Sequence, residues 1–519
     1  MNSASDTRRC FLLLLIFAAL ISFTGLACRE IASGDESRVA GISAEMFLES
    51  DYRVPRLNGR PFLEYPGLYY YAQCASFRLF GITDRAAKLP SALCMFGASL
   101  LTFLLMLRLK RSTPAAMLSS VFLLTCAQFW ANGRICMVDI MLTFFVLVSV
   151  YGFVSWNAHR RKFLWFLLFI SGMCGGVMTK GLIGILFPLA ICGTWSLVSD
   201  ILNRRIDFLR YVVLVCGFLL SLLPAGVWYW LLYARDGWDA FYTACWTNNF
   251  GRFSGAVSDH AVPFYYYLKR LPEWFQPYLI LLPFGIWFAV RQVKRERNLN
   301  LLLSLCYLAV PYILLTIASN KRQVYLLPLT VPAACLCGEF AAAAFADARV
   351  KRFVPYIRPV LTAAVMVFAV VLLILAPGWL RVYPLTALVA GALSLLPRMR
   401  GSSALALFLA SLALTFTSID AGIFARRNAK TSLRPLFEYC LEQEAQGKKV
   451  YILSRVERLE GGAYYYMHRN MPVRRKGDSF DAERELWIIR DKKLKTGKAF
   501  GDSFFVVPPS AELLEKYSD

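Results

Sequence analysis

The chain has 519 residues, 57% hydrophobic and 18% charged, with a mean hydropathy of +0.49. These values exclude an intrinsically disordered chain and argue against a soluble multi-domain protein. The net charge is +23, but the basic residues are spread over many loops rather than one stripe, which excludes nucleic acid as a partner.

Taken in chain order, the apolar residues come in blocks of about twenty, the length that crosses a bilayer as a helix. Arg8 and Arg9 precede the first block, Cys10 to Cys28. That layout also suits a cleaved signal peptide, and the number of later spans favours a retained helix. Gly25-Leu26-Ala27-Cys28 departs from a lipobox because Gly25 stands where an aliphatic residue is needed. An outer loop with juxtamembrane helices covers 29–89. Spans follow near 90–109, 113–131, 138–157, 163–179, 181–199, 208–233, 274–290, 299–318, 324–346, 359–377, 379–396 and 403–422. With the first helix that makes about thirteen. A second outer loop spans 234–273.

Beyond 422 the pattern turns polar and predicts a small α/β domain over 423–519. Its elements are a helix Ser432–Gln446, a strand Lys449–Ser454, a helix Gly461–Arg469 and strands Glu485–Arg490 and Ser503–Val507. The expected fold is therefore an all-α polytopic membrane protein with a first transmembrane helix over 1–28, a loop over 29–89, a bundle over 90–422 and an α/β tail.

Alternate connections carry Arg8 and Arg9; Arg108, Lys110 and Arg111; Arg160, Arg161 and Lys162; Arg204 and Arg205; Arg291, Lys294, Arg295 and Arg297; Arg349, Lys351, Arg352 and Arg358; and Arg398 and Arg400. Every second loop is basic, so the N-terminus is expected in the cytoplasm of a bacterial inner membrane. An odd number of spans then places the tail in the periplasm.

The opposite face should be poor in cations. It nonetheless holds Arg29, Arg38, Arg53, Arg56, Arg60, Arg78, Arg85 and Lys88 in the first loop, with Arg134, Lys180, Lys321 and Arg322 at predicted helix ends. Asp35, Glu36, Glu64 and Asp139 accompany them. Ionisable groups beside a membrane are costly and point to function. Cations can neutralise a departing lipid phosphate, and a carboxylate can take a proton from an attacking hydroxyl. The set suits glycosyl transfer from a polyprenyl-phosphate sugar.

The motifs agree. Gly34-Asp35-Glu36-Ser37-Arg38 resembles the acidic motif of the C-type membrane glycosyltransferases. Val54-Pro55-Arg56-Leu57-Asn58-Gly59-Arg60-Pro61-Phe62-Leu63-Glu64-Tyr65-Pro66-Gly67-Leu68-Tyr69-Tyr70 is similar to the first-loop signature of the lipid A aminoarabinose transferases and their relatives. Arg85-Ala86-Ala87-Lys88-Leu89-Pro90-Ser91, Arg134 to Asp139, Thr179-Lys180-Gly181, Asn249-Phe250-Gly251-Arg252-Phe253, His260 to Tyr267 and Ser319 to Pro328 continue the match, which covers roughly 10–345. The family is related to the protein O-mannosyltransferases. The resemblance implies an inverting transferase that uses an undecaprenyl-phosphate sugar on the periplasmic face. Two departures stand out: the usual Glu-Lys-Pro is Glu64-Tyr65-Pro66, and Asn248-Asn249 replaces a position where relatives often carry an acid or His. They fall where the donor-phosphate contacts and the choice of sugar are expected.

The candidate catalytic residues are Asp35, Asp139 and Glu64. Asp35 would act as general base or acceptor-orienting carboxylate, against a bland reading as a helix cap; Asp139 could instead cap its helix or bridge to Arg134. The candidate substrate-binding residues are Glu36, Arg38, Arg56, Tyr69, Lys180, His260, Lys321 and Arg322, with Arg56, Lys180 and Arg322 receiving the lipid phosphate. Snorkelling is the plain alternative for Lys180, and a solvated turn for Lys321 and Arg322. Tyr69–Tyr71 and Tyr265–Tyr267 suit either interfacial anchoring or a lipid groove, and Tyr464–Tyr466 is expected in the core of the tail.

His159, His260 and His468 fall on separate segments, so no essential metal is expected and the donor is the only implied small-molecule partner. The acceptor is expected to be a glycolipid of the lipid A type, or a protein. Most of the 14 Cys sit in apolar blocks, and a bridge is conceivable only between Cys245 and Cys440. The rival readings are a lipid or sugar flippase, which would need midplane charges and related halves, and a non-catalytic scaffold with a binding tail.

Overall fold

The computed structural model describes residues 4–32, 34–158, 162–251, 254, 262–346, 354–375, 381–396, 402–419, 428, 430–453, 456–491, 494, 497–501 and 504–517. Among them, seven helices are long and apolar enough to cross a membrane: Asp84–Arg108, Val138–Ala158, Lys162–Lys180, Ile183–Asn203, Phe208–Gly251, Leu299–Ile317 and Gln323–Ala344. An eighth results if Thr113–Leu124 and Ala127–Gly133, bent by 64°, are one span. The chain is thus a mostly helical, multi-span membrane protein. Of the remaining predicted spans, 359–377 maps to the helix Val354–Leu375, and the other four map to helices that miss this length-and-charge criterion. Ala4–Phe23 carries Asp6, Arg8 and Arg9, and Leu282–Glu296, Val382–Leu395 and Ser402–Ser418 are shorter. Cations expected at cytoplasmic turns, Arg160, Arg161, Arg349, Lys351, Arg352, Arg398 and Arg400, lie outside the described residues.

Val138–Ala158 forms the centre of the bundle, 89% buried along its apolar window, packed by Lys162–Lys180, Asp84–Arg108 and Ile183–Asn203. Phe208–Gly251 is only 33% buried, as expected of a helix that faces lipid. The hairpin Lys162–Lys180/Ile183–Asn203 closes tightly because Gly176 and Gly184 face each other: a Cβ on Gly184 would stand 2.0 Å from the Gly176 carbonyl carbon. The predicted single span over 113–131 is instead broken at Thr125-Cys126. The Thr125 hydroxyl sits 2.7 Å from that of Tyr278, and the Ala127 N–H, freed at the break, donates to the Gln276 carbonyl at 2.9 Å.

The first loop begins with a helix, Asp35–Leu48, followed by strands β1 (Arg56–Leu57) and β2 (Arg60–Pro61) and the helix Leu68–Phe80. The Asn58-Gly59 dipeptide turns β1 into β2 with positive φ at both residues, 53° and 79°. Such a dipeptide favours this turn. The Glu45 carboxylate accepts the N–H groups of Asn58 and Gly59 at 2.7 and 2.8 Å.

The C-terminal residues form a four-stranded mixed sheet in the order β3 (Lys449–Ile452), β4 (Glu485–Arg490), β6 (Phe504–Val507), β5 (Lys498–Phe500). β3 and β4 run parallel and the other pairs antiparallel. Helices Arg434–Ala445, Glu457–Met467 and Ala511–Tyr517 flank it. β5 and the last helix are short and escaped the sequence reading. Cys440 is unbridged in the apolar core beneath β3, and Cys245 is unbridged too, so the conceived disulfide does not form.

This tail is docked on the first loop. Helices Asp35–Leu48 and Glu457–Met467 cross at Gly41 and Gly461, whose backbones touch. Arg60 donates twice to the buried Glu460, at 2.7 and 2.8 Å, and the Asn58 amide bridges Glu460 and the Met471 carbonyl. Tyr464 and Tyr465 face this junction rather than the core of the tail: Tyr464 donates to Glu49, and Tyr465 to Asp84 at 3.1 Å. Polar partners on the loop attract the hydroxyls there. A Cβ on Gly461 would lie 2.4 Å from the Ser37 carbonyl oxygen and 2.7 Å from the Arg38 Cα. Gly461→Val is therefore expected to separate the helices, at a cost of about 1–3 kcal/mol. Limited proteolysis should then release the tail at concentrations that leave the parent chain intact.

Candidate active site

One cavity of about 1590 Å³ opens where the first loop, the helix ends and the tail meet. Asp35 and Arg38 reach it from the first turn of Asp35–Leu48, Glu64 and Tyr65 from the loop after β2, and Lys180 from the last turn of its helix. Lys321 and Arg322 come from the link after Leu299–Ile317, and Tyr325 from the 3-10 turn Gln323–Leu329 that follows. Six residues singled out in sequence thus share one cavity: Asp35, Glu64, Arg38, Lys180, Lys321 and Arg322. Connectivity puts these positions at the span ends opposite the basic loops.

Carboxylates and cations interleave here. Arg322 donates to one Asp35 oxygen, and Arg38 lies 3.3 Å from the other. Arg38 is also 3.6 Å from Glu64 and donates to Glu457 at 2.7 Å. Behind them Lys180 donates to Asp139, a pair only 7% and 3% exposed. Asp139 accordingly pairs across helices rather than with Arg134, whose guanidinium donates to the carbonyls of Ile21, Ser22 and Thr24. The Lys180 ammonium sits over the rings of Tyr325, at 4.3 Å, and Tyr65, at 5.7 Å. Lys321 donates to the carbonyls of Ala318 and Val262. The two Asn residues that depart from the family pattern hold backbone: Asn248 donates to the Leu63 carbonyl at 2.8 Å, and Asn249 to that of Ala244 at 2.9 Å.

Four other candidates do not line the cavity. Asp139 reaches it only through Lys180. Glu36 is buried, accepts from Arg29 at 2.5 Å and takes the Cys136 N–H at 3.2 Å. Arg56 is paired with Asp236 at 2.6 Å, and Tyr69 is buried with its hydroxyl 2.6 Å from that of Ser91. His260 lies outside the described residues. Conversely, Tyr65, Tyr325, Glu457 and Arg458 line the cavity without having been singled out as site residues. Tyr65 had a signal, since it replaces the Lys of the family motif. Glu457 and Arg458 had none, because tail and loop are some 400 residues apart in the chain and meet only on folding. Among the described residues, no three His, Cys, Asp or Glu side chains converge as a metal site requires.

Burial works to raise the Asp35 carboxyl, but Arg322 and Arg38 outweigh it and hold the group below its ordinary value of 3.8. The sign follows: the ion pair's contribution to stability is whole above that ordinary value and is lost as pH falls through the lower folded-state value. The thermal midpoint of the parent chain should therefore exceed that of Asp35→Asn by a constant margin from neutral pH to about pH 4, and the margin should vanish only in stronger acid. Burial also pulls the Lys321 ammonium below its ordinary value.

Residues 9–238 match the family described as dolichyl-phosphate-mannose-protein mannosyltransferase. An undecaprenyl phosphate-alpha-4-amino-4-deoxy-L-arabinose arabinosyl transferase of Serratia proteamaculans is 31% identical over 351 residues, 66% of this chain and 61% of the relative. The protein of the same name in Erwinia tasmaniensis is 29% identical over 330 residues, 63% and 58% of the two chains. The chain thus spans about three fifths of these curated relatives. The fold is similar to that of ArnT from Cupriavidus metallidurans bound to undecaprenyl phosphate, with a TM-score of 0.74 at 18% identity over 97% of this chain and 98% of that one. By sequence, then, residues 9–238 are similar to the dolichyl-phosphate-mannose-protein mannosyltransferase family and about two thirds of the chain to the aminoarabinose transferases, and the fold is that of ArnT.

Proposed function

We propose that this chain transfers a sugar from a polyprenyl-phosphate donor to an acceptor at the periplasmic face of a bacterial inner membrane. The observation that carries the reading is the convergence of Asp35, Glu64, Arg38, Lys180, Lys321 and Arg322 on one cavity at the span ends. The bilayer delivers the lipid-linked donor laterally, and the cations receive the phosphate as the glycosidic bond breaks. Asp35 orients the acceptor and takes its proton if the nucleophile is a hydroxyl. The acceptor attacks the anomeric carbon in line, and the sugar–phosphate bond electrons leave with the carrier. The names of the relatives favour an undecaprenyl carrier and a glycolipid acceptor of the lipid A type, with a protein acceptor as the alternative. In this reading the N-terminus is cytoplasmic and residues 423–519 form a periplasmic α/β domain over the site. The charges that line this cavity gather at helix ends, which favours transfer over a flippase.

The test is mass spectrometry of a reconstituted reaction. The purified full chain in nanodiscs, given lipid A and a panel of undecaprenyl-phosphate sugars, should release undecaprenyl phosphate while lipid A gains one sugar increment. Translocation of the donor across liposomes with no covalent product would replace this reading with the flippase.

A further inference from the structure

A cation with unmatched donors can take a departing phosphate without first giving up a carboxylate, and most cations of this cavity are matched. Arg322 is paired with Asp35; Arg38 is shared among Asp35, Glu64 and Glu457; Lys180 is paired with Asp139. Lys321 is held by two carbonyls. Arg458 differs. It lines the same cavity, yet among the described residues its guanidinium makes no hydrogen-bonded ion pair. It is held from behind, since the Ser37 hydroxyl donates to the Arg458 carbonyl at 3.0 Å. Its guanidinium carbon lies 3.9 Å from where a Cβ on Gly34 would stand, so it rests against the open face of the glycine that precedes Asp35. Its charge is close enough to help hold the Asp35 carboxyl low.

We propose that Arg458, delivered by the tail, binds a phosphate oxyanion in this cavity beside Lys321, and so makes the tail part of the substrate site. The inference rests on the proposed function. A planar guanidinium with unmatched donors suits a phosphate, and the phosphate can belong to the isoprenoid carrier or to a phosphorylated acceptor. Arg38, by contrast, is a positioning residue: three carboxylates hold it, and Glu457 ties its place to the docking of the tail.

The experiment uses the full chain in phosphatidylcholine nanodiscs. Native mass spectrometry measures binding of undecaprenyl phosphate against undecaprenol, and of lipid A against lipid A stripped of its phosphates. Arg458→Gln should weaken at least one phosphate-bearing lipid by roughly ten- to a hundredfold and leave its phosphate-free counterpart unchanged. Arg458→Lys should recover much of the loss. An effect on undecaprenyl phosphate assigns Arg458 to the carrier, and an effect on lipid A assigns it to the acceptor. Unchanged binding of both phosphate lipids, or a loss that includes the phosphate-free lipids, overturns the inference and leaves the proposed function standing. A parent chain that cannot tell undecaprenyl phosphate from undecaprenol overturns both.

Discussion

Asp35→Asn is expected to lower turnover by about two to four orders of magnitude while the chain stays folded and the donor KM moves little. The side chain is part-exposed, near-isosteric with its replacement and tied to Arg322 and Arg38. The variant keeps the shape but loses the charge that both guanidiniums face. Two effects follow in the reaction. The acceptor hydroxyl loses a charged oxygen that orients it, and it loses the base that takes its proton. Because the two guanidiniums hold the Asp35 carboxyl below its ordinary value, it is a weak base in the resting site. Its proton-accepting role therefore has to come late, as the attacking hydroxyl becomes acidic. The pH profile of the parent chain should accordingly show no acid limb from Asp35 above about pH 4. Turnover by Asp35→Asn equal to that of the parent would remove Asp35 from the mechanism.

Lys180→Met should be the most damaging single change to stability. It strands the Asp139 carboxylate, 3% exposed, without its partner, and losses of about 3–5 kcal/mol are typical for such a break. The double variant Lys180→Met/Asp139→Asn removes both charges, and its thermal midpoint should return close to that of the parent. Its transfer activity should not return, because the ammonium between Tyr65 and Tyr325 is still missing from the cavity wall. This cycle separates two roles that one variant confounds. If the double variant recovers activity along with stability, the pair is purely structural and neither residue belongs in the site.

The same pair changes the meaning of Tyr65. In sequence it reads as the loss of a phosphate-binding Lys. In the structure its ring stands beside an ammonium supplied by another helix. An added Lys here would crowd a positive charge against Lys180, so Tyr65 belongs with the local charge balance of this chain.

Much of the molecule was legible from the residues alone. The membrane-spanning class follows from apolar blocks of bilayer length, because no other solvent tolerates them. The basic loops predict that the site faces the other side of the membrane. The residues Asp35, Arg38, Glu64, Lys180, Lys321 and Arg322 stood out because charge is costly near lipid and topology did not require them. The limits of this logic are equally physical. Glu36 and Arg56 look like site residues by the same cost argument, but they stand outside the cavity, paired with Arg29 and with Asp236. Cost alone cannot distinguish a charge kept for a substrate from one kept for a neighbour. Only the tertiary structure decided that pairing. It also carried Glu457 and Arg458 to the cavity, through two glycines whose missing side chains let helices from opposite ends of the chain touch. Local sequence sets what each segment can be, whereas the distance between segments far apart in the chain is set by packing.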